Sequence, residues 1–225
     1  MITIEGLTKI YGDVTVLHGI HHHFEMGKVH GIIGANGAGK STFFRCLTGL
    51  EKYSGQIKGL SGMHGAIGYL PTDPFVFKRI TGREYLRFHC LARNIRDIDI
   101  DKHNAFDLPL DRYAAQYSTG MLKKLALTAV LLQRNEVFIF DEPFNGVDLE
   151  SNMLITAIIR RLGEQKKTVF LASHIYATLS GSCDFIHRLA GGKFEQPVGT
   201  EDFHALGLQL ENEMVSTKLD MLRFG

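Results

Sequence analysis

Apolar and polar residues alternate through the first two dozen positions: Ile2, Ile4 and Leu7, then Val14 to Leu17, then Ile20 to Phe24, with Gly12 and Gly27 as breaks. Period-two patterning predicts strands with one covered face, so residues 1–30 are expected to form a β-rich opening layer. The pattern then changes. Val29-His30-Gly31-Ile32-Ile33 is a short, nearly unbroken apolar run, as expected of a parallel strand buried on both faces, and Thr42 to Leu47 has helical character. Gly49-Leu50 predicts a helix end, Ser54-Gly55-Gln56-Ile57 a further hairpin, and Ala66 to Leu70 a strand stopped by Pro71.

From residue 81 the spacing becomes helical. Thr81 and Glu84 stand at capping-box distance, and Tyr85, Phe88 and Leu91 fall on one face of the helix that follows. Residues 96–112 are polar and acidic with one proline, and are expected to link short helices. A second helix is predicted from Met121 through Leu132, with Leu122, Leu125, Ala126, Ala129 and Val130 on its buried face. Val137 to Phe140 and Thr168 to Ser173 read as compact strands, and Asn152 to Leu162 between them has helical period. This alternation predicts an α/β fold with a mostly parallel sheet covered by helices. Ligands of such sheets gather at the carboxyl ends of the strands, where Gly34, Asp141 and His174 all fall.

Composition adds limits. With 225 residues, 44% of them hydrophobic, the chain can bury one substantial core, or one core with a small subdomain. A formal net charge of +1 offers no broad basic surface, so nucleic acid is disfavoured as a partner. The pairs Lys123-Lys124, Arg160-Arg161 and Lys166-Lys167 read as solvated helix faces. Leu125 to Leu132, the longest strongly apolar stretch, is interrupted by Thr128 and falls far short of the roughly 18 residues that span a bilayer. Met1 to Glu5 lacks the pattern of a secretory signal, and a cytoplasmic site of action is expected. Cys46, Cys90 and Cys183, odd in number and widely spaced, read as reduced buried thiols. Neighbouring strand residues point to opposite faces, so His21-His22-His23 cannot converge on one ion and reads as solvated strand histidines.

The chemistry concentrates in Gly34-Ala35-Asn36-Gly37-Ala38-Gly39-Lys40-Ser41, which has the G-x-x-x-x-G-K-[ST] spacing of a phosphate-binding loop. Its glycines let backbone N–H groups close around phosphates, Lys40 can reach the β and γ oxygens, and the Ser41 hydroxyl can bind Mg²⁺. Strand, loop and helix follow in order, so the helix N-terminus aims its free N–H groups at the anion. Asp141 ends an apolar strand, where a carboxylate needs a partner, and Mg²⁺ suits it. Glu142 beside it could polarise a water for in-line attack on a γ-phosphate.

From Tyr11 to about Gly192 these residues resemble, in order, the ATP-binding subunits of ABC transporters. Tyr11 stands where that family stacks an aromatic on adenine; Tyr117-Ser118-Thr119-Gly120-Met121 stands at the signature. Asp141-Glu142 stands at the second acidic motif, Asn145-Gly146-Val147-Asp148 at the loop after it, and His174 at the switch histidine. The resemblance implies a single domain over 1–225. Within it, 1–30 is the antiparallel opening layer, 31–72 and 134–192 the P-loop NTPase core, 73–133 a small helical subdomain and 193–225 a C-terminal tail. It further implies ATP held by Tyr11, Asn36, Gly37, Ala38, Gly39, Lys40, Ser41 and Thr42, and in trans by Ser118 and Gly120 of a second copy. Mg²⁺ would sit on Ser41 and Asp141, with hydrolysis assisted by Glu142 and His174. Ser118 also reads as an ordinary helix N-cap, and both roles are compatible.

The implied partners are a second copy, as a homodimer closing head to tail around two ATP molecules, and a separate membrane permease that holds the chain at the inner face of the membrane. Two positions depart from the family. Thr72 and Asp73 stand where it carries a metal-binding glutamine: Thr72 would reach the metal through water, Asp73 if the loop bends. Thr119 replaces the first signature glycine after Tyr117, a variant that leans toward export. The alternative is a soluble ATPase of the same type acting on a ribosome, DNA or a protein complex.

Overall fold

The computed structural model describes residues 1–60 and 66–219, with side chains through residue 213. Strands β1 (Ile2–Tyr11) and β2 (Val14–Phe24) form an antiparallel hairpin whose turn uses the positive φ of Gly12. After β3 (Val29–Ile33) and helix α1 (Lys40–Leu47), strand β4 (Ser54–Lys58) returns to the free edge of β1, giving a three-stranded antiparallel sheet in the order β2-β1-β4. The hairpin expected at Ser54 is therefore not one with the next strand. Instead β5 (Ile67–Leu70) joins the second sheet beside β6 (Val137–Asp141). That sheet is completed by β7 (Thr168–Ser173), β8 (Phe185–Ala190), β9 (Lys193–Phe194) and β10 (Val198–Gly199). Its order is β10-β8-β3-β7-β6-β5, parallel from β8 to β5, with antiparallel pairing among the described residues only at β9 and β10. The α/β architecture is as the patterning predicts, and the antiparallel opening layer is as the resemblance implies.

Strand β6 shows why its sequence is continuously apolar. Val137 and Ile139 enter a core shared with Ile2, Ile4, Phe24, Phe43 and Phe44, between the two sheets. Phe138 and Phe140 enter the opposite core, under the helices. Those helices are α2 (Gly82–Leu91), α3 (Thr119–Leu132), α4 (Leu149–Glu164), α5 (Tyr176–Ser180) and α6 (Phe203–Leu219). The capping box of α2 forms: the Thr81 hydroxyl accepts from Glu84 N–H, and Glu84 reaches back to Thr81 N–H. Its buried stripe differs from the expected one. Tyr85, Leu86 and Cys90 face inward, while Phe88 and Leu91 are 58% and 57% exposed.

The histidine triplet also departs from expectation. His21 and His23 are exposed, but His22 is buried beneath β8 and β9, against Phe24, Phe194 and His187. The three cysteines are free and buried. Among the described residues no helix is long and apolar enough to cross a membrane.

Candidate nucleotide site

The loop from Gly34 to Gly39 turns the chain from β3 into α1, and two glycines are sterically required there. A Cβ on Gly34 would lie 2.5 Å from the Leu189 carbonyl oxygen. Gly39 caps α1 at φ 104, a conformation that side chains disfavour. The loop, Lys40, Ser41 and Thr42 form one wall of a cleft of about 610 Å³; Tyr11, Thr72, Asp141, Glu142, Asn145 and His174 line the rest. The Lys40 ammonium donates to the Gly34 carbonyl at 2.7 Å and lies 3.5 Å from Glu142 Oε1. It is thus stored at the cleft floor, within reach of an arriving anion.

Asp141 ends β6 and is 1% exposed, and neither of its carboxylate oxygens has a hydrogen-bond partner. A buried carboxylate without a partner is costly by several kcal/mol. With the Ser41 hydroxyl lining the same cleft, these oxygens fit a hard divalent cation. Tyr69 on β5 lies near Asp141; burial first, and then the Asp141 charge, push its hydroxyl up to about 12 and keep it neutral.

Glu142 adopts a left-handed backbone, φ 53, that a glutamate does not take without restraint. Three hydrogen bonds supply the restraint: its N–H donates to Ala172 O at 3.1 Å, while its carbonyl accepts from Lys123 Nζ at 2.9 Å and Asn145 N–H at 3.3 Å. Oε2 lies 3.0 Å from His174 Nδ1. A carboxylate only accepts, so His174 carries its proton on Nδ1 and leaves Nε2 open. Oε1 is buried with no hydrogen-bond partner.

Of the residues singled out from sequence, the structure brings Tyr11, Asn36 to Thr42, Thr72, Asp141, Glu142 and His174 together. Asp73 is exposed and does not line the cleft, whereas Thr72 does. Lys9 Nζ sits 4.3 Å from the centroid of the Tyr11 ring and covers one of its faces. Ser118 and Gly120 do not line this cleft either. They begin α3, where the Ser118 hydroxyl accepts from Met121 N–H at 3.2 Å and Gly120 packs on the backbone of Gly146.

Lys123 is a correction: expected on a solvated face, it is 3% exposed. The available signal was its position, three residues before Ala126 and seven before Val130, both on the buried stripe of α3. Tyr69 was also missed, because a lone tyrosine in a strand carries no sign of the carboxylate it faces.

Residues 17–145 match the family described as ABC transporter. The chain is 30% identical over 200 residues to an uncharacterised ABC transporter ATP-binding protein of Methanocaldococcus jannaschii, covering 85% of this chain and 75% of that protein. It is also 30% identical over 210 residues to the lantibiotic transport ATP-binding protein SrtF of Streptococcus pyogenes, covering 86% and 88%. A solved ATP-binding subunit of an ABC transporter superimposes with TM-score 0.75 at 26% identity, over 92% of this chain and 94% of that one. A dimeric ATP-binding cassette bound to ADP and Pi shares the fold at TM-score 0.79 and 17% identity, over 89% and 99%. The family match runs through the phosphate loop and the acidic pair, and the chain belongs to the ABC transporter family as an ATP-binding subunit with ATPase activity.

Proposed function

We propose that the chain hydrolyses ATP with Mg²⁺ in a head-to-tail dimer and thereby powers a separate membrane permease from the cytoplasmic side. The observation that carries this reading is the Asp141 carboxylate, buried with both oxygens unpartnered at the wall of the phosphate-loop cleft. Asp141 and Ser41 would hold the cation, with Thr72 reaching it through water. Mg²⁺ would supply neutralisation of charge on the β and γ oxygens.

The protein's own groups do the rest. Backbone N–H groups from Asn36 to Thr42 and the dipole of α1 receive the phosphates. Lys40 exchanges the Gly34 carbonyl for phosphate oxygens. Glu142 Oε1, without a hydrogen-bond partner, accepts from the attacking water, while His174 fixes Oε2 and presents Nε2. Tyr11 offers the face not covered by Lys9 to adenine.

Ser118 and Gly120 lie outside the chain's own cleft, at the start of a helix whose N–H groups suit a phosphate brought by a second copy. Similar proteins are named for bacitracin and lantibiotic transport, and the Tyr117/Thr119 signature leans toward export. Glu142→Gln in the intact chain tests the reading. With ATP and Mg²⁺ it should elute as a stable dimer, and as a monomer when the metal is chelated. A variant that stays monomeric at saturating ATP and Mg²⁺ defeats the composite site.

A further inference from the structure

Lys123 is a buried cation that none of the hydrolytic roles above uses. Burial pushes its ammonium below the ordinary lysine range, opposed by Asp73, Glu142 and Asp141, so a position 3% exposed is a costly place for a charge without a purpose. Its Nζ donates to one acceptor, the Glu142 carbonyl, at 2.9 Å. That carbonyl belongs to Glu142, whose own backbone is left-handed, so the bond acts on the torsions that aim its side chain.

The other end of the lever is equally defined. Lys123 lies five residues after Ser118, about 7.5 Å along the helix axis. The first two turns of α3 are fastened to the segment after β6 at three points. Gly120 packs on Gly146, where a Cβ would come within 2.6 Å of the carbonyl oxygen. Lys123 holds Glu142, and Lys124 Nζ reaches Asp148 Oδ2 and Ser151 Oγ, both at 3.1 Å. A displacement at the start of α3 therefore reaches the Glu142 backbone through a rigid helix.

We infer that Lys123 is a positioning residue for hydrolysis: by holding the Glu142 carbonyl it links nucleotide engaged at Ser118 and Gly120 to the attack geometry in this chain's own cleft. The inference rests on the composite-site reading above and adds to it a path between the two sites. It assigns Lys123 no contact with substrate. Its loss should lower kcat and leave ATP binding alone.

Lys123→Met keeps the apolar stem and removes the donor; Lys123→Gln keeps a neutral donor of shorter reach. In the full chain, Lys123→Met should bind ATP within about twofold of the parent and still dimerise with ATP in the Glu142→Gln background, while kcat falls at least tenfold. Lys123→Gln should recover part of the lost kcat. A kcat within twofold of the parent in Lys123→Met overturns the inference, as does an equal loss of ATP affinity and kcat. Circular dichroism melting checks folding; if Lys123→Met unfolds, Lys123→Gln decides, and a parental kcat in that variant overturns the inference. Failure of Glu142→Gln alone to dimerise defeats the composite site, a result distinct from intact dimerisation with unchanged kcat.

Discussion

Lys40 is 7% exposed and its ammonium already lies among oxygens, 2.7 Å from the Gly34 carbonyl and 3.5 Å from Glu142 Oε1. Phosphate binding at Lys40 would thus be an exchange of acceptors rather than the ordering of a solvated side chain, with less entropy lost on binding. Lys40→Ala should weaken ATP binding at least tenfold and abolish turnover, measured by titration calorimetry and phosphate release; parental affinity would contradict the phosphate-loop assignment. The placement of Lys40 in the cleft was legible because it rests on local spacing, where each glycine and the lysine must follow at fixed distances whatever the rest of the chain does. Lys123 was not legible in the same way. Its partner is a backbone carbonyl 19 positions away, and a carbonyl leaves no mark in a sequence. Asp73 is a different case: the residue type suits a metal, but in the structure Asp73 is exposed and Thr72 is the one of the two that lines the cleft.

Among the elements, those with their own signals were readable. Helix α2 declares its start through Thr81 and Glu84, and the reciprocal hydrogen bonds form as the spacing predicts. Arg83, one residue into the helix, ties it to Asp101 and Asp111, and Gly82 packs under the Tyr117 hydroxyl at the head of the signature segment. The start of α2 is thus a joint between this helix, residues 101–111 and the segment that leads into α3. Thr81→Ala removes the N-cap and should cost about 1 kcal/mol, a few degrees in melting temperature, with ATP affinity unchanged. A loss of affinity equal to that of a phosphate-loop variant would show that the joint shapes the cleft itself. Which stripe of α2 is buried was not legible. Phe88 and Leu91 satisfy the helical period as well as Leu86 and Cys90 do, and only the position of α3 selects between the two faces. The partner of β4 escaped for a similar reason, since strand patterning marks a covered face but not the neighbour that supplies the ladder.

Across the whole molecule, the parallel character of the main sheet was legible from the alternation of strand and helix, but its strand order was not. That order brings β8 beside β3 and under β2, and so joins three histidines distant in sequence. The Glu25 carbonyl can only accept, so His30 donates to it from Nε2 at 2.8 Å. His30 Nδ1 must then accept from His187 Nε2 at 3.0 Å, and His187 Nδ1 from His22 Nε2 at 2.8 Å. All three rings are fixed as neutral tautomers in a chain that stitches the antiparallel layer to the parallel sheet. Protonating His187 or His30 breaks a link, and burial opposes charge at each: His22 is lowered to about 4 by burial and by His23 and His30, and His187 further by burial and its two histidine neighbours. His30 is lowered by burial, with Lys28 acting the same way and the Glu25 carbonyl, Asp184 and the Glu25 charge opposing. In the unfolded chain all three titrate near 6.5. Folded values below unfolded ones mean that this stability is complete above about pH 6.5 and is lost as pH falls toward 4, because the unfolded chain binds more protons in that window. Each histidine can contribute a slope of up to about 1.4 kcal/mol per pH unit there. Melting temperature should therefore fall steeply from pH 6.5 to 5 and be flat from 7 to 8. His22→Phe, placed among Phe24 and Phe194, should make the acid limb shallower by about one proton, because it removes one group that must stay neutral to fold. An acid limb of unchanged steepness in that variant would mean that carboxylates elsewhere set the pH response and that the chain of histidines contributes packing alone.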